Sequence, residues 1–424
     1  MNNLEVALAA GRWLDAMAIA WGDSLTWPPG VLSENSGGIW LYHGTSGVAL
    51  YYLEAHAATG DPHWLDQACR AADYLLAGMD SAAQSDQTLP PGLYEGVSGL
   101  GFVLSEVFKA SGEPRFRDAA DICLEAIADA AEPAGAGVQW ADEDRTGRQF
   151  VPTDVMAGGA GIGLFLLYAG RVELAAAAGR RLIELSEPGP AGIRWRTGNP
   201  SHPAEMPNFS HGAAGAGYFL ARLHAATGQA GFLDAAVRAA DYLQSIAHGA
   251  PEVCLVPRFV PPQHGKPEYA LGWCHGPYGT ASLWFELHRA TGDQRWLDWF
   301  SGSLRGFLTR APEVNDFEPS RCWCHGSAGN AVILQWGHRV TGDPQLKAEA
   351  DRLLQMTVES AIPDRGGLAW NEEGLHEGSV KWFPQTSFNT GAAGVGYALL
   401  LADALDSGRA PRVVLPDYRH LFDL

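Results

Sequence analysis

Two short stretches place a cysteine directly before a histidine and a glycine: LGWCHG, Leu271–Gly276, and CWCHG, Cys322–Gly326. Thiols and imidazoles are the donors zinc prefers, and a catalytic zinc keeps three protein ligands and one open position. Cys274, Cys324 and one histidine make such a set, with His275 and His325 both candidates for the nitrogen. Cys322 offers a further sulfur, but Cys324 is the one that aligns with Cys274. The competing readings are two buried thiols beside helix-capping histidines, and a Cys274–Cys324 disulfide.

Residues 50 apart meet only if the fold repeats. Both motifs end on a G-x-x-G step, and the chain has seven such steps: HGTSG, EGVSG, AGGAG, HGAAG, HGPYG, HGSAG and TGAAG. Their first glycines are Gly44, Gly96, Gly158, Gly212, Gly276, Gly326 and Gly391, separated by 52, 62, 54, 64, 50 and 65 residues. Each step leads into an apolar run, such as VALYYLEAHAATG, that reads as a buried inner helix. Most of these runs stop at Gly, often as TGD or TGQ, which fits a glycine just past the helix end. A second pattern follows, as in LDQACRAADYLLAGM, with apolar residues at three-to-four spacing, so it reads as an amphipathic outer helix. The predicted unit is an inner helix, an outer helix and a return loop.

Inner helices this apolar do not suit an open superhelix, and the terminal units lack a polar capping face. The amphipathic segment Met1–Trp21 can serve as outer partner of the last inner helix. The expectation is all-α, a single α/α toroid of seven helical hairpins over residues 1–424. Strand-like stretches are few, such as Gly192–Trp195 and Val253–Val260. Glycines three apart let helix ends and loops approach closely. In a ring, all seven inner N-termini face one end, where free N–H groups and dipoles favour a thiolate or an enolate.

Composition narrows the partners. Lys plus Arg is 29 and Asp plus Glu is 48, so the net charge is 29 − 48 = −19. With no basic stripe, such a surface repels nucleic acid and anionic membranes. No stretch reaches the ~18 apolar residues of a membrane span, and the first helix lacks the pattern of a signal peptide. Six cysteines in 424 residues are no disulfide scaffold, and Cys69 and Cys123 read as buried thiols. A cytoplasmic, monomeric enzyme is expected.

Other residues stand at the same steps. His211, in NFSHG, and His43 precede their glycines as His275 and His325 do. Asp154 lies four residues before Gly158, as a helix cap or a functional acid. Trp40, Trp273 and Trp323 precede their units and read chiefly as core packing.

The seven-unit G-x-x-G series, with W-C-H-G on the fifth and sixth steps, resembles the lanthionine synthetase C-like family over roughly Trp40–Ala402. These are zinc-dependent lanthipeptide cyclases and their relatives. The resemblance implies Zn2+ held by Cys274, Cys324 and His325, a proton-transfer histidine at His211 and a mouth aspartate at Asp154. It also implies conjugate addition of a thiol to dehydroalanine or dehydrobutyrine, giving a thioether ring. The expected substrate is a dehydrated precursor peptide, with a dehydratase as possible partner. Two departures stand out. Ala270 occupies the place of an arginine found in some members, and the 62-residue second step is too short for the peptide-binding subdomain some cyclases insert there. Two alternatives are glutathione addition to dehydrated residues in proteins and a non-catalytic binding module. Glycosidases built on helical rings need two facing acids, and only Asp154 is so placed.

Overall fold

The computed structural model describes residues 2–33, 36–85, 87–143, 146–196, 205–249, 252–263, 265–309, 314–315, 320–376 and 379–419. Fourteen helices are present among them. Seven follow the glycine steps: α2 (Thr45–Thr59), α4 (Val97–Ser111), α6 (Gly159–Tyr168), α8 (Ala213–Thr227), α10 (Pro277–Thr291), α12 (Ser327–Thr341) and α14 (Ala392–Ser407). They alternate with α1 (Asn3–Met17), α3 (Pro62–Gln84), α5 (Pro114–Asp129), α7 (Val172–Glu184), α9 (Ala230–Ile246), α11 (Gln294–Leu308) and α13 (Pro344–Glu359). No helix among the described residues is long and apolar enough to cross a membrane.

The two series differ in burial as the sequence predicts. Every residue of α2 from Thr45 to Ala55, and of α12 from Ser327 to Gly337, is buried. In α13 only Leu346, Ala350, Leu353, Leu354 and Thr357 are, a single stripe at helical spacing. The TGD signal does two jobs. Gly60 ends α2 in the left-handed conformation at φ 70°, and Asp61 then accepts from the His63 N–H to start α3. Asp293 and Asp343 start α11 and α13 in the same way.

Contacts divide the chain into two compact units. One comprises Met1–Leu89, Glu95–Cys123 and Phe317–Leu415. In it α2 pairs with α3, α12 with α13, and α1 with α14, so the first helix does partner the last. Helix α14 also packs on α2 and α12, and α2 on α4. The other unit comprises Pro90–Tyr94, Leu124–Asp316 and Pro416–Leu424. There α6 pairs with α7, α8 with α9 and α10 with α11, with α8 packed between α6 and α10.

The return loops carry a device the sequence did not announce. After α1, α5, α7 and α13 the chain makes a short antiparallel hairpin, the first pairing Ile19–Trp21 with Ser24–Thr26. Each hairpin ends on a tryptophan whose indole N–H donates to a carbonyl near the end of the preceding helix. The pairs are Trp27 to Leu14, Trp140 to Ile127, Trp195 to Leu182 and Trp370 to Thr357, at 2.7–2.9 Å. The indole thus buries apolar area while satisfying a helix-end acceptor. The expected strand at Gly192–Trp195 is present as Ile193–Arg194. Val253–Val260 is not a strand: it makes isolated bridges at Leu255 and Val260, because Pro257 and Pro261 remove ladder donors. Met1–Trp21 is helical only over Asn3–Met17.

The G-x-x-G steps are close approaches of a loop to its own helix. A Cβ on Gly329 would lie 1.9 Å from the Trp323 carbonyl oxygen, one on Gly394 1.6 Å from that of Phe388, and one on Gly215 2.1 Å from that of Phe209. Neighbouring loops add contacts, as Phe388 does on Gly47 and Phe209 on Gly279. The winding also corrects the expectation of free first-turn amides. Ser327, Ala328 and Gly329 donate to Ser320, Arg321 and Cys322, and Ala392 and Ala393 to Gln385 and Thr386. The dipole remains, but loop carbonyls already take these donors. Gly329→Ala is expected to cost about 2–3 kcal/mol or more, since a backbone atom must move. Denaturant unfolding of the variant checks this.

In the second unit Asp417 is fully buried and accepts from the Tyr94 hydroxyl at 3.0 Å. Burial pushes its carboxyl up to about 7, with the Tyr94 bond opposing. A pKa raised on folding gives stability that is full at low pH and lost as pH rises through about 7. Asp417→Asn is therefore expected to raise the melting temperature at about pH 8, with the gain fading towards about pH 4.

Candidate metal-ligand loops and a histidine–aspartate pair

The residue two before each first glycine occupies one register position, which holds Tyr42, Tyr94, Met156, Ser210, Cys274, Cys324 and Asn389. Backbone hydrogen bonds join these positions from loop to loop within each unit. In one unit Cys324 N–H donates to Asn389 at 3.0 Å and Asn389 to Tyr42 at 3.3 Å. In the other, Tyr94 donates to Met156 and Ser210 to Cys274, both at 3.0 Å. Register thus puts Cys274 and Cys324 on equivalent rungs, as their motifs predict, and leaves Cys322 off them.

Ahead of α6, α8 and α10 four of the candidate residues come together. Asp154 is buried, and its Oδ1 accepts from the Ala157 and Gly158 amides at 2.9 and 3.0 Å in the loop just ahead of α6, whose first turn it does not cap. Its Oδ2 lies 2.7 Å from His211 Nδ1. The helix-cap reading of Asp154 is therefore not met, because its Oδ1 serves the loop before α6, while Oδ2 is turned to the histidine. A carboxylate only accepts, so Nδ1–H of His211 is the donor. The His211 ring, about a quarter exposed, stacks on His275 with centroids 5.5 Å apart. Ser210, beside His211, donates both its N–H and its hydroxyl to the Cys274 carbonyl, the hydroxyl at 2.9 Å. His211, His275, Cys274 and Asp154 thus share one hydrogen-bonded group of loops.

Around α12, Cys324 is fully buried and receives the Tyr42 hydroxyl at 3.5 Å, and His325 beside it is half-buried. Glu372, from the six-residue hairpin strand Asn371–His376, holds this loop through Ser320 Oγ at 2.6 Å and Arg321 N–H at 2.5 Å. Burial pushes Glu372 up to about 7, with the Ser320 and Arg321 bonds and then the His325 charge opposing. Neither Tyr42 nor Glu372 was picked out from the sequence. Tyr42 could have been, since it shares the cysteines' register. Glu372 lies about fifty residues beyond the motif, with no local signal.

The remaining candidates separate cleanly. Cys322 Sγ lies 3.1 Å from the Ser320 hydroxyl oxygen. Cys69, Cys123 and Cys254 are buried thiols, pushed up to about 11, 12 and 12 chiefly by burial. All six cysteines are free, so no Cys274–Cys324 disulfide is present. Burial lowers His43 to about 4, which leaves it neutral near pH 7 and unsuited to proton donation there. Trp273 and Trp323 are buried and Trp40 half-buried, in keeping with packing. Ala270, in the place of the arginine of some cyclases, is buried in a two-residue strand.

The sequence profile of the family described as Lanthionine synthetase C-like protein matches residues 36–415. Among solved structures, the chain is similar to Nisin cyclase, with a TM-score of 0.66 and 16% identity over 92% of this chain and 94% of that one. It is also similar to the Lin0763 protein from Listeria innocua, with a TM-score of 0.51 and 13% identity over 96% and 99% of the two chains. No curated protein sequence matches significantly. The fold class is all-α, the α/α toroid of the lanthionine synthetase C-like fold.

Proposed function

This chain belongs to the lanthionine synthetase C-like family, and from that premise we propose that it closes thioether rings in a dehydrated peptide. A cysteine thiol of the peptide adds to the β-carbon of dehydroalanine or dehydrobutyrine. One S–C bond forms, one C=C π bond is lost, and the proton leaving sulfur is matched by one arriving at the α-carbon. The product is therefore an isomer of the substrate.

Zn2+ fits the donors this chain offers. Cys274, Cys324 and His325 supply two sulfurs and an imidazole nitrogen, the types zinc takes, and both thiols are free of disulfides. When bound, the ion would hold a substrate thiol as thiolate at neutral pH, where a free thiol of pKa ~8.5 is mostly protonated. Cys274 and Cys324 stand just ahead of α10 and α12, whose N-terminal dipoles favour anionic sulfur. Tyr42 adds a hydroxyl donor to Cys324.

The observation that carries the proposal is the Asp154–His211 pair on the loops that join Cys274. Asp154 fixes the tautomer, so the opposite nitrogen of His211 is the one that can exchange a proton with substrate. His211 delivers that proton to the α-carbon, and Asp154 stabilises the imidazolium between turnovers. His275 is placed to steady the His211 ring by stacking.

A second reading keeps this chemistry and changes the thiol to glutathione, with dehydrated residues of a protein as acceptor. It is favoured by the connection between α5 and α6, whose described strands form only two short hairpins where some cyclases insert a peptide-binding subdomain. Incubation with a dehydrated cysteine-containing peptide and glutathione together separates the readings. Loss of peptide thiol at unchanged mass supports cyclisation, and a gain of one glutathione supports the second reading. Recovery of unaltered peptide leaves only a binding module.

A further inference from the structure

Trp273 directly precedes Cys274, and its indole is only 2% exposed. Three aromatic rings from the same unit enclose it. Tyr94 lies at 5.2 Å between centroids, Phe209 at 5.7 Å, and Tyr418 is stacked on it at 5.9 Å with 24° between planes. Tyr418 belongs to the segment after α14, and its neighbour Asp417 grips Tyr94 through the hydroxyl at 3.0 Å. The Trp273 indole N–H opposes the burial that raises the Asp417 carboxyl pKa.

The equivalent tryptophan of the sixth step is held differently. Trp323 packs on Phe388 and on Tyr397, which is part of α14 itself. No helix of the repeat has to supply Tyr418 or Asp417; they are an addition outside the seven hairpins, spent on one residue of one W-C-H-G motif. On the other side of Cys274, Ser210 ties down the carbonyl with two hydrogen bonds. Together they restrain the main chain on both sides of the sulfur-bearing residue.

We infer that Pro416–Arg419 is a positioning segment for the Cys274 loop, with Asp417 and Tyr418 fixing Trp273 so that Cys274 and the Ser210–His211 loop keep one geometry. It rests on the reading of Cys274 as a ligand residue. Residues that orient a ligand from outside its coordination shell typically change metal affinity 10–100-fold when lost.

The test compares Asp417→Ala and Tyr418→Ala with the conservative Asp417→Asn and Tyr418→Phe, all in the full chain. Amide hydrogen exchange over Leu271–Gly276 is expected to rise about 10-fold in the alanine variants, while other protected segments hold their rates. The conservative variants should stay near wild type, since Asn can still accept from Tyr94 and Phe can still stack. Zinc affinity by chelator competition should fall about 10-fold in the alanine variants, with a shifted absorption band in the cobalt-substituted protein. Wild-type exchange at Leu271–Gly276 in both alanine variants would overturn the inference. So would a uniform rise over all the helices, which marks a general loss of stability. The exchange readout needs no metal, so failure of the zinc reading and failure of this inference are told apart.

Discussion

Asp154→Asn is expected to slow ring closure nearly as much as His211→Ala, about 10²–10⁴-fold in kcat/KM, with metal content unchanged. The size follows from how one carboxylate is shared. Oδ1 of Asp154 serves the Ala157 and Gly158 amides, and Oδ2 serves His211 Nδ1. An asparagine must keep its oxygen on the two amides, because its NH2 group cannot accept from them. That turns the NH2 group towards His211 and makes Nδ1 the acceptor. The ring then carries its proton on the opposite nitrogen, and the imidazolium loses its partner. A pair acting as a unit gives non-additive losses, so the double variant should be no slower than His211→Ala alone. Steady-state kinetics on a dehydrated peptide, with metal analysis of each variant, checks this. A tenfold smaller effect for Asp154→Asn, with the double variant additive, would reduce Asp154 to a brace for the loop ahead of α6.

Cys324→Ala is expected to abolish both metal binding and turnover. Removing one of three protein ligands weakens a zinc site on the order of a thousandfold or more, enough to leave the purified protein metal-free. Cys274→Ala should do the same, because the two cysteines hold equivalent rungs in their hydrogen-bonded loops. Cys322→Ala should keep its zinc, since Cys322 faces Ser320 and lies off that register. His275→Ala should also keep zinc but turn over more slowly, because the His211 ring loses the surface it stacks on. Metal analysis of the purified variants reads all four. Zinc lost from Cys322→Ala and kept in Cys324→Ala would reverse the sulfur assignment.

Much of this was legible in the sequence because the repeat is local. Gly44, Gly96 and their five counterparts each begin a helix, and the apolar runs after them are buried as their composition demands. Register alone aligned Cys274 with Cys324 and set aside Cys322. What could not be read are the contacts that close over long separations. Glu372 reaches the CWCHG loop from a hairpin strand, and Asp417 reaches Tyr94 across more than three hundred residues. The tryptophans at 27, 140, 195 and 370 carry no local signal for their second role, in which each indole N–H donates to a carbonyl near the end of the preceding helix. The first-turn amides misled for a related reason. A loop whose carbonyls seven residues back take the first-turn amides fills its own helix end, and only the backbone path reveals that.

The central claim is that this chain adds a cysteine thiol to a dehydrated residue and protonates the α-carbon. Zinc-replete protein and a dehydrated cysteine-containing peptide in heavy water test it in one measurement of thiol content and product mass. The account predicts loss of free thiol with one carbon-bound deuteron gained for each ring closed. A full count of free thiols and unaltered peptide, with zinc bound throughout, would contradict it.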